Sequence, residues 1–175
     1  MKRIILASFL VLAACREDVA AVIPAPVEMT QDALGHYCQM IIAEHAGPKA
    51  QIHLKGTPEP IFFGQVRDAL AYLKEPERTA PVLVVYVSDM SNAKSWTEPG
   101  EANWIDAQSA FFVVDSDARG GMGAPEVVPF GQEADAIVFA QEHGGAVARL
   151  DEIPEDAVLG AYDVQPSQPE GEGNP

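Results

Sequence analysis

The run Gly35-His36-Tyr37-Cys38-Gln39-Met40 places an imidazole, a thiol and a thioether at alternate positions. Two sulfurs of this kind suit copper(I), a soft ion satisfied by two or three ligands. Zinc asks for more ligands and takes thioether poorly. In an extended segment alternate residues share a face, so His36, Cys38 and Met40 would point one way. In a helix Cys38 and Met40 would diverge by roughly 200°, at ~3.6 residues per turn. The spacing therefore serves metal chemistry only in a strand or loop. Cysteine and methionine are also ordinary core residues, and packing alone could account for the pair.

A third ligand is sought elsewhere. Met122 lies in Gly120-Gly121-Met122-Gly123, a glycine-rich loop able to bring a thioether to a metal, and His36 is the nitrogen alternative. His45 and His53 read as structural, and Met29 and Met90 as bystanders in a tether and a turn. Lys49 after Gly47-Pro48 is no phosphate loop, since the glycine spacing is wrong and no Ser or Thr follows. Asp115 to Asp117, with Glu133 and Asp135, lack the alternating oxygens of a calcium loop and read as a solvated face.

The N-terminus bears on the state of the thiol. Lys2 and Arg3 precede the apolar run from Ile4 to Ala14, the pattern of a signal peptide. The run is about half the length needed to cross a bilayer. It ends Leu12-Ala13-Ala14-Cys15, which resembles the lipobox of bacterial lipoproteins. That resemblance implies removal of residues 1–14, acylation of Cys15 and a membrane-anchored protein on the periplasmic side. Arg16 after the cysteine favours the outer over the inner membrane. Of two cysteines, Cys38 is then the one free thiol in a compartment where disulfides form readily.

The chain has 11 basic and 26 acidic residues, net −15; losing Lys2 and Arg3 leaves 9 against 26, net −17. Such a chain is repelled by phosphate backbones, so nucleic acid is not an expected partner.

An internal repeat organises the body. Phe63 to Leu73 reads FGQVRDALAYL and Phe130 to Ala140 reads FGQEADAIVFA, 67 residues apart throughout. Each copy has an apolar lead (Ile61 to Phe63; Val127 to Phe130) and then apolar residues at helical spacing. Gly64 and Gly131 stand where helices can start. Strand signals surround both: Ala50 to Leu54 and Val82 to Val87 about the first, Trp104-Ile105, Ala110 to Val114 and Ala146 to Leu150 about the second. The expected fold is α+β: two small related ββαβ halves, residues 31–90 and 91–153, forming one compact body. A tether at 15–30 precedes them. A flexible tail at 154–175 follows, of which 165–175 holds only Pro, Gly, Glu and polar residues.

The runs GHYCQMIIAEHAGPKAQI, FGQVRDA, WIDAQSAFFV, GMGAPEVVPF and EHGG, in that order between Leu34 and Ile153, resemble the NosL family of lipoproteins associated with nitrous oxide reductase. The resemblance implies a copper(I) metallochaperone that serves copper-site assembly in that reductase, alongside a membrane ABC-type transporter. It also implies two ββαβ halves, and it matches Cys38 and Met40 to the family's C-x-M copper motif. Gln39 stands where the family often has Gly, adding bulk inside the loop. Two other functions compete: a scaffold lipoprotein without metal, and a cysteine-dependent lyase-like enzyme. The second lacks a paired thiol and an oriented third group behind His36, so no catalytic role is expected.

Overall fold

The computed structural model describes residues 23–162. The signal peptide, Cys15 and the stretch 165–175 lie outside them.

The first half runs β1 (Ala50–Leu54), β2 (Ile61–Phe63), α1 (Val66–Lys74) and β3 (Val82–Ser88). After β4 (Trp104–Asp106), the second half repeats the sequence with β5 (Phe111–Val114), β6 (Val128–Phe130), α2 (Glu133–His143) and β7 (Ala146–Ala148). A last helix, α3, spans Glu155–Leu159. The sheets are ordered β2-β1-β3-β4 and β6-β5-β7, with all strand pairs antiparallel. The order β2-β1-β3 is thus reproduced by β6-β5-β7, and the sequence repeat is a structural one.

Trp104-Ile105 does not lead the second half. It pairs with β3, Val87 opposite Ile105 and Ser88 opposite Trp104, and closes the edge of the first sheet. The chain after β3 doubles back, and the Trp104 ring meets Phe62 at 6.4 Å on the same face. Residues Glu155–Leu159, expected within the tail, form α3 because Val158 and Ala157 find apolar surface on the main core.

That core joins the halves. Ala50, Ile52, Phe63, Val66, Leu70 and Val87 of the first half share one cluster with Phe112, Val114 and Val127 of the second. Both helix starts are also held from the opposite half. The backbone N–H of Arg67 donates to Glu126 Oε1 at 2.9 Å, as does that of Val127. Asp89 Oδ1 accepts from the N–H of Gly131 at 2.7 Å, and Ser91 Oγ from that of Gln132 at 3.1 Å. Gln65 and Gln132, both extended, are the residues at the helix caps, and neither supplies a side-chain cap. A carboxyl group from the opposite half satisfies donors that a local Ser or Asp would otherwise hold.

The repeated glycines therefore do not serve as caps. A Cβ on Gly131 would lie 2.6 Å from Asp89 Oδ2, and one on Gly64 would lie 3.4 Å from Ile42. They admit close neighbours.

Candidate metal-binding site

Residues 34–41 form a tight loop along the outer edge of β2. Leu34 bridges Ile41, Gly35 bridges Phe62, and His36 N–H donates to the Phe62 carbonyl at 2.7 Å. The loop closes on itself: Gly35 N–H donates to the Met40 carbonyl and Gln39 N–H to the Gly35 carbonyl, each at 2.9 Å.

Gln39 carries the geometry. Its φ of 55° is left-handed, a conformation that costs L residues about 1–2 kcal/mol. Its side-chain amide offsets part of that cost by donating to the carbonyls of His36 at 2.8 Å and Gly35 at 3.2 Å. Glycine would reach this conformation freely; glutamine reaches it with a brace.

Cys38 is half-buried and its thiol is free. It packs against the buried cluster of Met29, Ala33 and Ile42, which Ala43, Phe62 and Trp104 also flank. A Cβ on Gly35 would lie 2.5 Å from its Sγ, so the sulfur occupies the space a side chain there would need. Met40 stands in the loop exit, 44 % exposed. Within this one closed turn the thiol is partly sheltered and the thioether two residues on is accessible.

His36 goes the other way. A fully extended segment would set it on the thiol's side, but residues 36–38 turn. Its ring packs on Phe63 at 5.6 Å and Tyr72 at 5.5 Å. Phe63 and Phe62 are successive residues of β2 and face opposite ways, Phe62 toward Cys38 and Phe63 toward His36. Beside it Tyr37 hydroxyl donates to the Glu75 carboxylate at 2.5 Å. Burial and Glu75 push that phenol above its usual range, so it stays a neutral donor.

Met122 is half-buried in a turn closed by Gly123 N–H on the Gly120 carbonyl at 2.8 Å. Its own N–H donates to Gln65 Oε1 at 3.3 Å. Gln65 follows Gly64, which lies against Ile42, and Ile42 also touches Gly35 and belongs to the cluster around Cys38. Gln65 thereby links the Met122 turn to the start of α1. Gly121 lets the same turn press on His45 and Ala46; a Cβ there would lie 2.5 Å from His45 Cβ.

His53 and Lys49 have structural roles of their own. His53 is buried, hydrogen-bonded to Gln51 Oε1 at 3.0 Å, and burial lowers its pKa. Lys49 is buried and donates to the carbonyls of His45, Ala46 and Gly47, organising that loop. Met29 is no mere tether residue: it is 4 % exposed, its N–H donates to the Glu101 carbonyl, and it shares the Cys38 cluster. The sequence around it holds no periodic signal that could have shown this. Among the described residues no group of three or more His, Cys, Asp or Glu side chains could hold a metal. The turn carries one thiol and one thioether, donors that suit a soft monovalent cation better than zinc or calcium.

Fold and site together define a two-lobed ββαβ protein with a sulfur-bearing turn on the edge of its first sheet. The sequence profile of the NosL family matches residues 26–158. The chain is 53 % identical over 157 residues to the copper-binding lipoprotein NosL of Achromobacter cycloclastes, covering 89 % of this chain and 81 % of that protein. It is 34 % identical over 131 residues to the copper-binding lipoprotein NosL of Stutzerimonas stutzeri, covering 74 % and 66 %. The crystal structure of the copper chaperone NosL from Shewanella denitrificans superposes with a TM-score of 0.69 at 34 % identity, covering 75 % of this chain and 98 % of that one. The chain belongs to the NosL family.

Proposed function

We propose that this chain is an envelope-anchored copper carrier that binds one Cu(I) through Cys38 and Met40 and gives it up to nitrous oxide reductase during copper-site assembly. The observation that carries the reading is the braced turn that carries a half-buried thiol and, two residues on, an exposed thioether. The relatives named copper-binding lipoprotein and copper chaperone support copper as the cargo. Two or three exchangeable soft ligands at a surface turn suit transfer; a closed four-ligand cage would retain the ion. Met122 is the favoured third ligand, a thioether carried on the turn beside Gln65, whereas the His36 ring is engaged with Phe63 and Tyr72.

Acylated Cys15 would anchor the chain on the periplasmic side, where the reductase and its ABC-type maturation transporter are the partners. Among the described residues no helix is long and apolar enough to cross a membrane. The chain's own residues bind and expose an ion, and no bond of a substrate is made or broken. Copper transfer tests the reading: protein loaded with one Cu(I) is mixed with apo-reductase in membranes that carry the transporter. Loss of copper from the carrier with gain of reductase activity is expected. Retention of copper by the carrier would contradict delivery.

A further inference from the structure

The two halves share a fold but differ in what covers their helices. On α1, Leu70 is 3 % exposed because Leu150, Ile153 and Val158 close over it and Leu73. Arg67, one turn earlier, is buried too, donating to the Gly160 carbonyl at 2.5 Å and stacking under Tyr162 at 4.9 Å. Residues 150–162 thus lie along the flank of α1 formed by Arg67, Leu70 and Lys74.

The 67-residue repeat maps that flank onto Ala134, Ile137 and Gln141 of α2. All three are exposed there, Ile137 at 44 %, and the neighbouring Val138 at 51 %. Of the helix, only Ala136 is fully buried. Among the described residues the second half has no counterpart of the α3 segment: the chain after β3, which would supply it by symmetry, instead holds the start of α2 through Asp89 and Ser91. Nor can residues 165–175 supply it, for they contain no apolar side chain larger than proline.

We propose that the Ala134–Ile137–Val138–Gln141 face of α2 is the docking surface for the protein that receives the metal, and that the occupant is a short amphipathic segment with apolar residues on one side and basic residues beside them. The first half shows what fits such a face, a turn-and-helix segment presenting Leu, Ile and Val. Charge selects its flanks. Glu133, Asp135 and Glu142 surround the apolar residues, so a second copy of this acidic chain would meet like charge, whereas Lys or Arg would find partners. One eleven-residue helix offers far less than the ~800 Å² per partner of a stable complex, which suits an encounter that ends after transfer. The inference rests on the delivery reading above.

The test uses the same transfer assay with the full-length chain, adding I137D/V138D and E133K/D135K, together with Cu(I) affinity and thermal melting for each. I137D/V138D alters exposed side chains only, so its melt should match wild type, whereas E133K/D135K reverses charge at the start of α2 and should melt slightly lower while staying folded. Both variants should keep wild-type copper affinity and lose about tenfold or more in transfer rate, as removal of central interface contacts does. Equal transfer by wild type and I137D/V138D would overturn the docking surface and leave delivery standing. Lowered copper affinity in these variants would place the defect at the metal and also overturn it. Failure of the wild type itself to transfer would overturn the delivery reading first.

Discussion

The sulfur of Cys38 fills the space above Gly35: an added Cβ at Gly35 would come within 2.5 Å of Sγ and 3.0 Å of Ile42 Cγ2. Glycine at this position is a requirement of the thiol's placement, not of backbone freedom. Gly35→Ala should force Cys38 out of its seat and lower Cu(I) affinity about tenfold, ~1.4 kcal/mol. Gly64→Ala, whose Cβ would meet Ile42 at 3.4 Å, should leave affinity within about twofold. Equal effects from both would detach the thiol's position from Gly35.

The placement of His36 and Met122 separates the two candidates for a third ligand. Met122→Ala should weaken Cu(I) binding or speed its release several-fold, whereas His36→Ala should act on stability through its contacts with Phe63 and Tyr72. Competition titration and thermal melting on both variants distinguish these effects. Loss of affinity in His36→Ala alone would reverse the assignment.

Glu126 and Lys49 make folding pH-dependent. Burial pushes the Glu126 carboxyl up to about 8 from its ordinary 4.5, against the pull of the N–H groups of Arg67 and Val127. Burial likewise pushes the Lys49 ammonium down to about 8 from 10.5, against the attraction of Glu126. A carboxyl with a raised folded pKa holds its proton longer in the native state, so its stabilisation is full below pH 4.5 and is lost as pH rises to about 8. An ammonium with a lowered folded pKa does the reverse, and stability returns between about pH 8 and 10.5. Glu126→Gln, which keeps an acceptor for both N–H groups, should therefore gain on wild type between pH 5 and pH 8, by a few kcal/mol at most. Denaturant melts across that range check this; a pH-independent difference would contradict it.

Asp89 joins the halves at the start of α2, and its buried carboxylate serves Gly131, Ser91 and Asn92. Asp89→Ala leaves those donors without their acceptor and should cost about 1–3 kcal/mol in urea unfolding. A change below ~0.5 kcal/mol would show that water replaces it.

Much of this was legible in the residues. The FGQ repeat marked both helices because the same apolar and small side chains must meet the same sheet geometry twice. The C-x-M pair stood out because soft donors at that spacing have few uses outside packing. What the repeat could not show was exchange between the halves. Glu126 reaches Arg67 across 59 residues, and Asp89 reaches Gly131 across 42, with no local pattern to announce either. Trp104-Ile105 had strand character, but its partner in β3 was a matter of which way the chain turned back. The loop was foreseen only as strand or loop. Its left-handed Gln39, and hence the parting of His36 from Cys38, depends on a side-chain brace that composition does not record.

The central claim is that Cys38 and Met40 share one Cu(I). Reduced, metal-free protein titrated with Cu(I) against a chromophoric competitor measures this directly, for wild type, Cys38→Ser and Met40→Ala. The account predicts one tight site in the wild type, its loss in Cys38→Ser, and binding weakened by about tenfold or more in Met40→Ala. Tight one-to-one binding that survives Cys38→Ser unchanged would contradict it.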